Sequence, residues 1–227
     1  MTLPNQTAVR DLDPVFAEMA AATFQLNGAD PNLTPRERIM ISLVADVCEQ
    51  VLGLPYEMHI QAALNSGLDA DDLRELLRFI AYDSGYPAAL AALGRLVDIE
   101  REHGLPGPTG QGHHVNADGT GSPMPAALRI EVDALDPDFA DYMDLQSRMR
   151  AAMSRISVRE RAFASMAVDV IYQTLQESFR AHVGRAIGAG ATPAALRAAV
   201  RATAPFGMTR TWRAASVLDA ILAERER

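Results

Sequence analysis

TPRERIMIS, residues 34–42, returns 123 positions later as SVRERAFAS, residues 157–165. The same offset recurs on either side. LDPVFAE (12–18) pairs with LDPDFAD (135–141), and the histidine of EMHIQAALNSG (57–67) pairs with that of RAHVGRAIGAG (180–190). Aligned without gaps, residues 33–81 and 156–204 agree at 15 of 49 positions. The matches include Arg36/Arg159, Glu37/Glu160, Arg38/Arg161, Asp46/Asp169, Gln50/Gln173, His59/His182 and Gly67/Gly190. One offset held over so long a stretch identifies two copies of one unit.

The opening stretch also sets the secondary structure. Thr34 is an N-cap residue, Pro35 suits the first helical position, and Glu37 completes a capping box. Ser157 and Glu160 form the same box in the second copy. Long helices are expected over 35–52 and 158–176. A shorter helix carrying the histidine follows in each copy and stops at Gly67 or Gly190, where glycine accepts the left-handed cap conformation. Asp69 and Thr192 then cap another helix, with Pro193 at its first position. Breaks follow at YDSGYP (82–87) and APFGMT (204–209), before a last helix. The fold class is all-α, a tandem duplication with five or six helices per copy.

The first repeat spans 1–103 and the second 126–227. Between them GLPGPTGQGHHVNADGTGSPMP, residues 104–125, carries too much glycine and proline for helix or strand and reads as a linker. His113 and His114 lie in it. With only Asp118 near metal-ligand spacing, they read as exposed loop residues, and no metal site is expected.

Bulk composition narrows the function. The net charge of −8 opposes phosphate backbones and anionic lipid, so neither nucleic acid nor membrane is an expected partner. Cys48 is the sole cysteine, which excludes an internal disulfide and a cysteine-rich metal site. No apolar run is long enough to span a bilayer, and MTLPNQTAVRDLD does not read as a secretory signal, so a cytoplasmic location is expected.

Several repeated residues invite a chemical reading. Glu37 and Glu160 are explained by their caps, and the adjacent arginines read as largely solvated ion pairs. Ser42, Asp46 and Gln50 fall at i, i+4 and i+8 on one helix face, as do Ser165, Asp169 and Gln173. That line is either a solvated stripe or a buried polar network. A histidine near the start of a helix is ordinarily a hydrogen-bonded packing residue, and duplication alone does not change that.

The order of these features resembles the carboxymuconolactone decarboxylase family, which shares the alkylhydroperoxidase D-like helical unit. The RER-capped long helix, the histidine, the small-residue helix ending in glycine and the segment AYDSGYPAA (81–89) carry the resemblance, over roughly 12–103 and 135–225. One branch of the family uses a Cys-x-x-Cys pair seven and four residues before the histidine. Leu52 and Pro55 stand there in the first copy, Leu175 and Ser178 in the second, so a thiol peroxidase is disfavoured.

The other branch implies a cofactor-independent enzyme acting on a small carboxylated lactone or β-keto acid, by decarboxylation or a related proton transfer. Histidine suits proton transfer near neutral pH. The resemblance makes His59 the first acid/base candidate and His182 the second. Glu57 and Tyr82 are the expected catalytic partners of His59, and Arg38 a carboxylate anchor. The glutamate expected five residues before the histidine survives only as Glu177, taken as substrate-binding in the second copy. A helical binding or assembly module that kept the fold and lost the reaction is the alternative. Because fused repeats can close into a ring, a homotrimer is expected, with a homodimer as fallback.

Overall fold

A computed structural model describes residues 6–28, 30–110, 115–118 and 124–225. His113 and His114 lie outside the described residues. The first copy contains α1 (Gln6–Leu12), α2 (Pro14–Gly28), α3 (Pro35–Glu49), α4 (Leu54–Asn65), α5 (Ala70–Ser84) and α6 (Tyr86–His103). The second contains α7 (Ala126–Leu135), α8 (Pro137–Ala151), α9 (Val158–Tyr172), α10 (Glu177–Gly188), α11 (Pro193–Arg201) and α12 (Met208–Arg225), with a 3-10 turn at Ala204–Phe206 before the last. No helix among the described residues is long and apolar enough to cross a membrane.

Both expected capping boxes form, as do the caps at Asp69 and Thr192. Gly67 and Gly190 take φ of 85° and 82° just beyond α4 and α10. The next amide in each case, Leu68 and Ala191, bonds back to Ala63 and Ala186, as in a Schellman closure. The long helices end earlier than expected. Gln50 and Gln173 adopt left-handed φ of 56° and 60°, and each side-chain amide donates to the carbonyl three residues back at 2.6 Å. The tyrosine-rich break is also shorter than expected: α5 continues to Ser84, and Gly85 at φ 92° is the only residue before α6.

α3 and α9 are buried on nearly all sides and pack against each other, so both copies contribute to one hydrophobic core. The arginines beside the caps lie at this junction rather than in solvent. Arg36 Nε donates to Glu160 Oε1 at 2.7 Å, and Arg159 Nε donates to Glu37 Oε1 at 2.5 Å. Their Nη2 groups reach the carbonyls of Arg155 and Asn32, which correspond under the same 123-residue offset. Each glutamate thus closes its own capping box and pairs with the other copy's arginine. Asp72 extends the network, accepting from both Arg36 and Arg155.

Removing a largely buried carboxylate from this junction strands a guanidinium and undoes a cap. Glu37→Ala, which leaves Arg159 without a carboxylate partner among the described residues, should lower unfolding free energy by about 2–4 kcal/mol. Asp219→Ala, at the exposed pair with Arg197, should change it by less than about 1 kcal/mol. Urea denaturation of the two variants beside the wild type checks the contrast, and equal losses would contradict a structural role for the junction.

Candidate functional site

The early stop of α3 at Gln50 turns the chain back so that α4 runs beside it. His59 then reaches Asp46, with Nδ1 2.6 Å from Oδ2. His182 and Asp169 repeat the pair at 2.6 Å. Gln50 and Gln173, the only non-glycine residues at positive φ among those described, are the backbone devices that permit both turns. The polar line on α3 is therefore a buried network: Asp46 is wholly buried, within a helix otherwise packed by apolar side chains. An ionised Asp46 accepts from Nδ1–H, which leaves Nε2 as the ring nitrogen open to a second partner.

The two pairs differ in their second carboxylate oxygen. Asp169 Oδ1 accepts from Thr174 Oγ1 at 2.8 Å and from Ser178 Oγ. Val51 and Pro55 occupy the corresponding positions in the first copy, and Asp46 Oδ1 is buried without a partner. Burial pushes the Asp46 carboxyl above its ordinary range, and the hydrogen bond and charge of His59 oppose that rise without cancelling it.

His59 lines a cavity of about 330 Å³ between α2, α3 and α4. Its walls are mainly apolar, with Val9, Phe24, Ile39 and Met58 among them. Arg38 enters the same wall. Its Nη2 is held by the carbonyls of Asp30 (2.8 Å) and Leu33 (3.1 Å), while its Nε is a buried donor without an acceptor. Phe24 meets the His59 ring edge-on at a centroid distance of 6.5 Å. Phe206, from the 3-10 turn of the second copy, lies 6.1 Å away on another side. Both copies therefore shape the surroundings of His59.

Of the expected residues, Arg38 and His59 share this cavity, and Asp46 supplies the histidine's partner. Glu57 does not join them. It pairs with Arg95 of α6 and lies 3.9 Å from His103 Nε2, because two residues along a helix turn it roughly 200° from His59. Tyr82 is placed in the other half of the molecule, beneath Arg150, whose guanidinium lies 3.9 Å from the ring centroid. Glu177, in the first turn of α10, faces a surface groove with Thr174 and Arg213, while His182 is held by Asp169. Sequence reasoning passed over Asp46 and Asp169 as histidine partners, although their constant spacing of 13 residues before each histidine was a usable signal. Nothing in the sequence pointed to Phe24 or Phe206.

The remaining nucleophile is Cys48. Burial pushes its thiol up to about 12, with a weaker opposing effect from the Tyr172 hydroxyl. A thiolate is therefore scarce at neutral pH, and the chain has no second cysteine to resolve an oxidised one. Cys48 should react with Ellman's reagent only after denaturation. Stoichiometric labelling of the native protein within minutes would show that the thiol is accessible and active.

The sequence profile described as the Carboxymuconolactone decarboxylase family matches residues 11–98 and 137–220, once in each copy. No curated protein sequence matches the chain. Among solved structures, the chain is similar to a crystal structure described as a candidate gamma-carboxymuconolactone decarboxylase subunit from Burkholderia xenovorans LB400. The identity is 19% and the TM-score 0.52, over 99% of this chain and 100% of the other. At that identity the likeness supports the fold alone. The double match of the family profile, on the two units that the repeated histidine and capping box delimit, makes this chain a member of the carboxymuconolactone decarboxylase family.

Proposed function

We propose that the first copy carries a cofactor-independent site for decarboxylation, or a related proton transfer, on a small carboxylated lactone or β-keto acid. The observation that carries this reading is the His59–Asp46 pair at a mainly apolar cavity whose wall also holds Arg38. In such a substrate the bond to the carboxylate carbon breaks and carbon dioxide leaves. The electron pair enters the neighbouring carbonyl as an enolate. The Arg38 guanidinium is the cation in the cavity wall, where a fixed charge in a dry site stabilises developing negative charge. Protonated His59 then delivers a proton from Nε2 to carbon. It keeps Nδ1–H on Asp46 and regains its lost proton from water. Apolar walls favour the step because they solvate carbon dioxide better than the carboxylate it came from.

The second reading, a binding module that kept the fold, draws on the same apolar lining. Turnover decides between them. Carbon dioxide release would be measured with 4-carboxymuconolactone and a panel of β-keto acids. His59→Ala should lower kcat by roughly 100-fold or more, and Asp46→Asn should also lower it, by leaving the imidazole without its anionic partner. Arg38→Gln should act mainly on kcat if its charge serves the enolate. Full activity in His59→Ala would refute the assignment, and a folded wild type silent across the panel would favour the binding module.

We propose further that the chain assembles as a homotrimer, with a homodimer as the fallback. Leu12, Val15, Phe16 and Met19 are exposed around α2, and Leu135, Phe139 and Tyr142 around α8. Leu12/Leu135, Phe16/Phe139 and Met19/Tyr142 correspond under the repeat offset, so each chain offers two related apolar faces, as ring closure requires. Light scattering at micromolar concentration should give three chains per particle, and a monomer would overturn assembly.

A further inference from the structure

Arg38, Ser42 and Asp46 follow one another at four-residue spacing along α3, so their side chains share one face. Arg38 and Ser42 line the His59 cavity, and Asp46 holds the histidine. Under the repeat offset the serine is kept as Ser165 and the arginine as Arg161. What meets the serine is not kept. Ser165 is wholly buried, and its hydroxyl donates to Asp83 Oδ2 at 2.8 Å. Arg150 Nη1 lies 3.3 Å from that same oxygen, so hydroxyl and guanidinium share one carboxylate. Asp83 corresponds to Phe206, whose side chain has no acceptor and whose ring lies 6.1 Å from that of His59.

Ser42 is accordingly left with an idle hydroxyl. It is half-buried, and among the described residues its hydroxyl reaches only the Arg38 carbonyl one turn back, at 3.5 Å. Hydroxyl donors bond at about 2.5–3.0 Å, so that contact is scarcely made. Other polar groups of the wall are engaged. Ser66 Oγ donates to the Ala62 carbonyl at 2.8 Å, Arg38 Nη2 to the carbonyls of Asp30 and Leu33, and His59 Nδ1 is held by Asp46. Gln6 lies at the exposed start of α1. No carboxylate side chain stands among the described residues of the wall. A hydroxyl donor one turn from a guanidinium, with no anion to oppose them, suits an oxyanion. Asp83 would repel such a ligand from the second copy's serine, and Phe206 does not repel it from the first.

We propose that Ser42 is a substrate-binding residue of the His59 cavity, its hydroxyl donating to a carboxylate oxygen of a small carboxylated ligand beside the positive charge of Arg38. The proposal rests on reading this cavity as the site for a small carboxylated lactone or keto acid, and not on the reaction itself. Its consequence is discrimination. A hydrogen bond to a charged acceptor is worth more than one to a neutral acceptor, so Ser42 favours the acid over an uncharged counterpart.

Calorimetric titration of the full chain tests this with two probes. One is 5-oxotetrahydrofuran-2-carboxylate, a stable carboxylated lactone; the other is γ-valerolactone, which bears a methyl group in place of the carboxylate. The acid should bind saturably and more tightly than γ-valerolactone. Ser42→Ala should weaken binding of the acid roughly tenfold and leave γ-valerolactone unchanged. Because Ser42 makes no close bond within the fold, this variant should keep the wild-type melting temperature. Ser165→Ala should bind both probes as the wild type does. Equal affinity of wild type and Ser42→Ala for the acid would overturn the proposal, as would no saturable uptake of the acid by the wild type. Equal losses for both probes would also overturn it, by showing a change of cavity shape instead of a lost donor. Carbon dioxide release from β-keto acids, measured on the same preparations, separates the contact from the reaction. Ser42-dependent binding in a protein that releases none would refute decarboxylation and leave the contact standing. Release and acid binding both undiminished in Ser42→Ala would refute the contact alone.

Discussion

The reciprocal pairing of Arg36 with Glu160 and of Arg159 with Glu37 is the constraint on which the rest depends. Each glutamate is committed twice, to the cap of its own helix and to the arginine of the other copy. Either obligation alone would leave α3 and α9 free to choose their orientation. Together they fix where the helices begin relative to one another, and the apolar sides of both then close into one core. The cost of desolvating four charged groups is offset because the carboxylates also accept backbone amides and the guanidiniums also donate to carbonyls. Side chains at the ends of one copy consequently lie beside the histidine region of the other.

That crossing explains how one unit, used twice, comes to have two chemical characters. In both copies an aspartate inside an apolar helix holds a histidine at 2.6 Å. Thr174 and Ser178 satisfy the second oxygen of Asp169, so its carboxylate is anchored by the fold. Val51 and Pro55 cannot donate a side-chain hydrogen bond, and the second oxygen of Asp46 is left bare in the core. An unsatisfied buried carboxylate is costly, and the cost falls when a proton is shared with the neighbouring imidazole. Under the function proposed for it, the first pair moves a proton, and its apolar cavity suits chemistry in which charge is lost. In the second copy the place of Ala62 in the repeat is taken by Arg185, a charged residue three positions after His182. Cys48 serves neither place, since burial suppresses the thiolate that the redox branch of the family would need.

Most of the fold was legible from the chain itself. The constant offset revealed the duplication, and Thr34, Glu37, Ser157 and Glu160 announced two helix starts through local hydrogen bonds that need no tertiary partner. Gly67 and Gly190 announced two stops for the same reason. The early ends at Gln50 and Gln173 were not legible, because glutamine seldom adopts a left-handed backbone and here does so only with its amide bonded to the preceding turn. The site was half legible. The family resemblance leads to His59, and chemistry with proximity to the motif leads to Arg38, while Glu57 and Tyr82 are directed elsewhere by helix geometry.

By itself, then, the sequence determined the all-α class, the two units, their caps and the histidine that each presents, since these rest on repetition and on interactions within a few residues. Packing alone makes Asp46 the histidine's partner, brings Phe206 to it from the other copy, and lays Arg150 over Tyr82. Those relations join residues on different helices, and their distances are set by how α3 and α9 pack. No local rule of spacing carries that information.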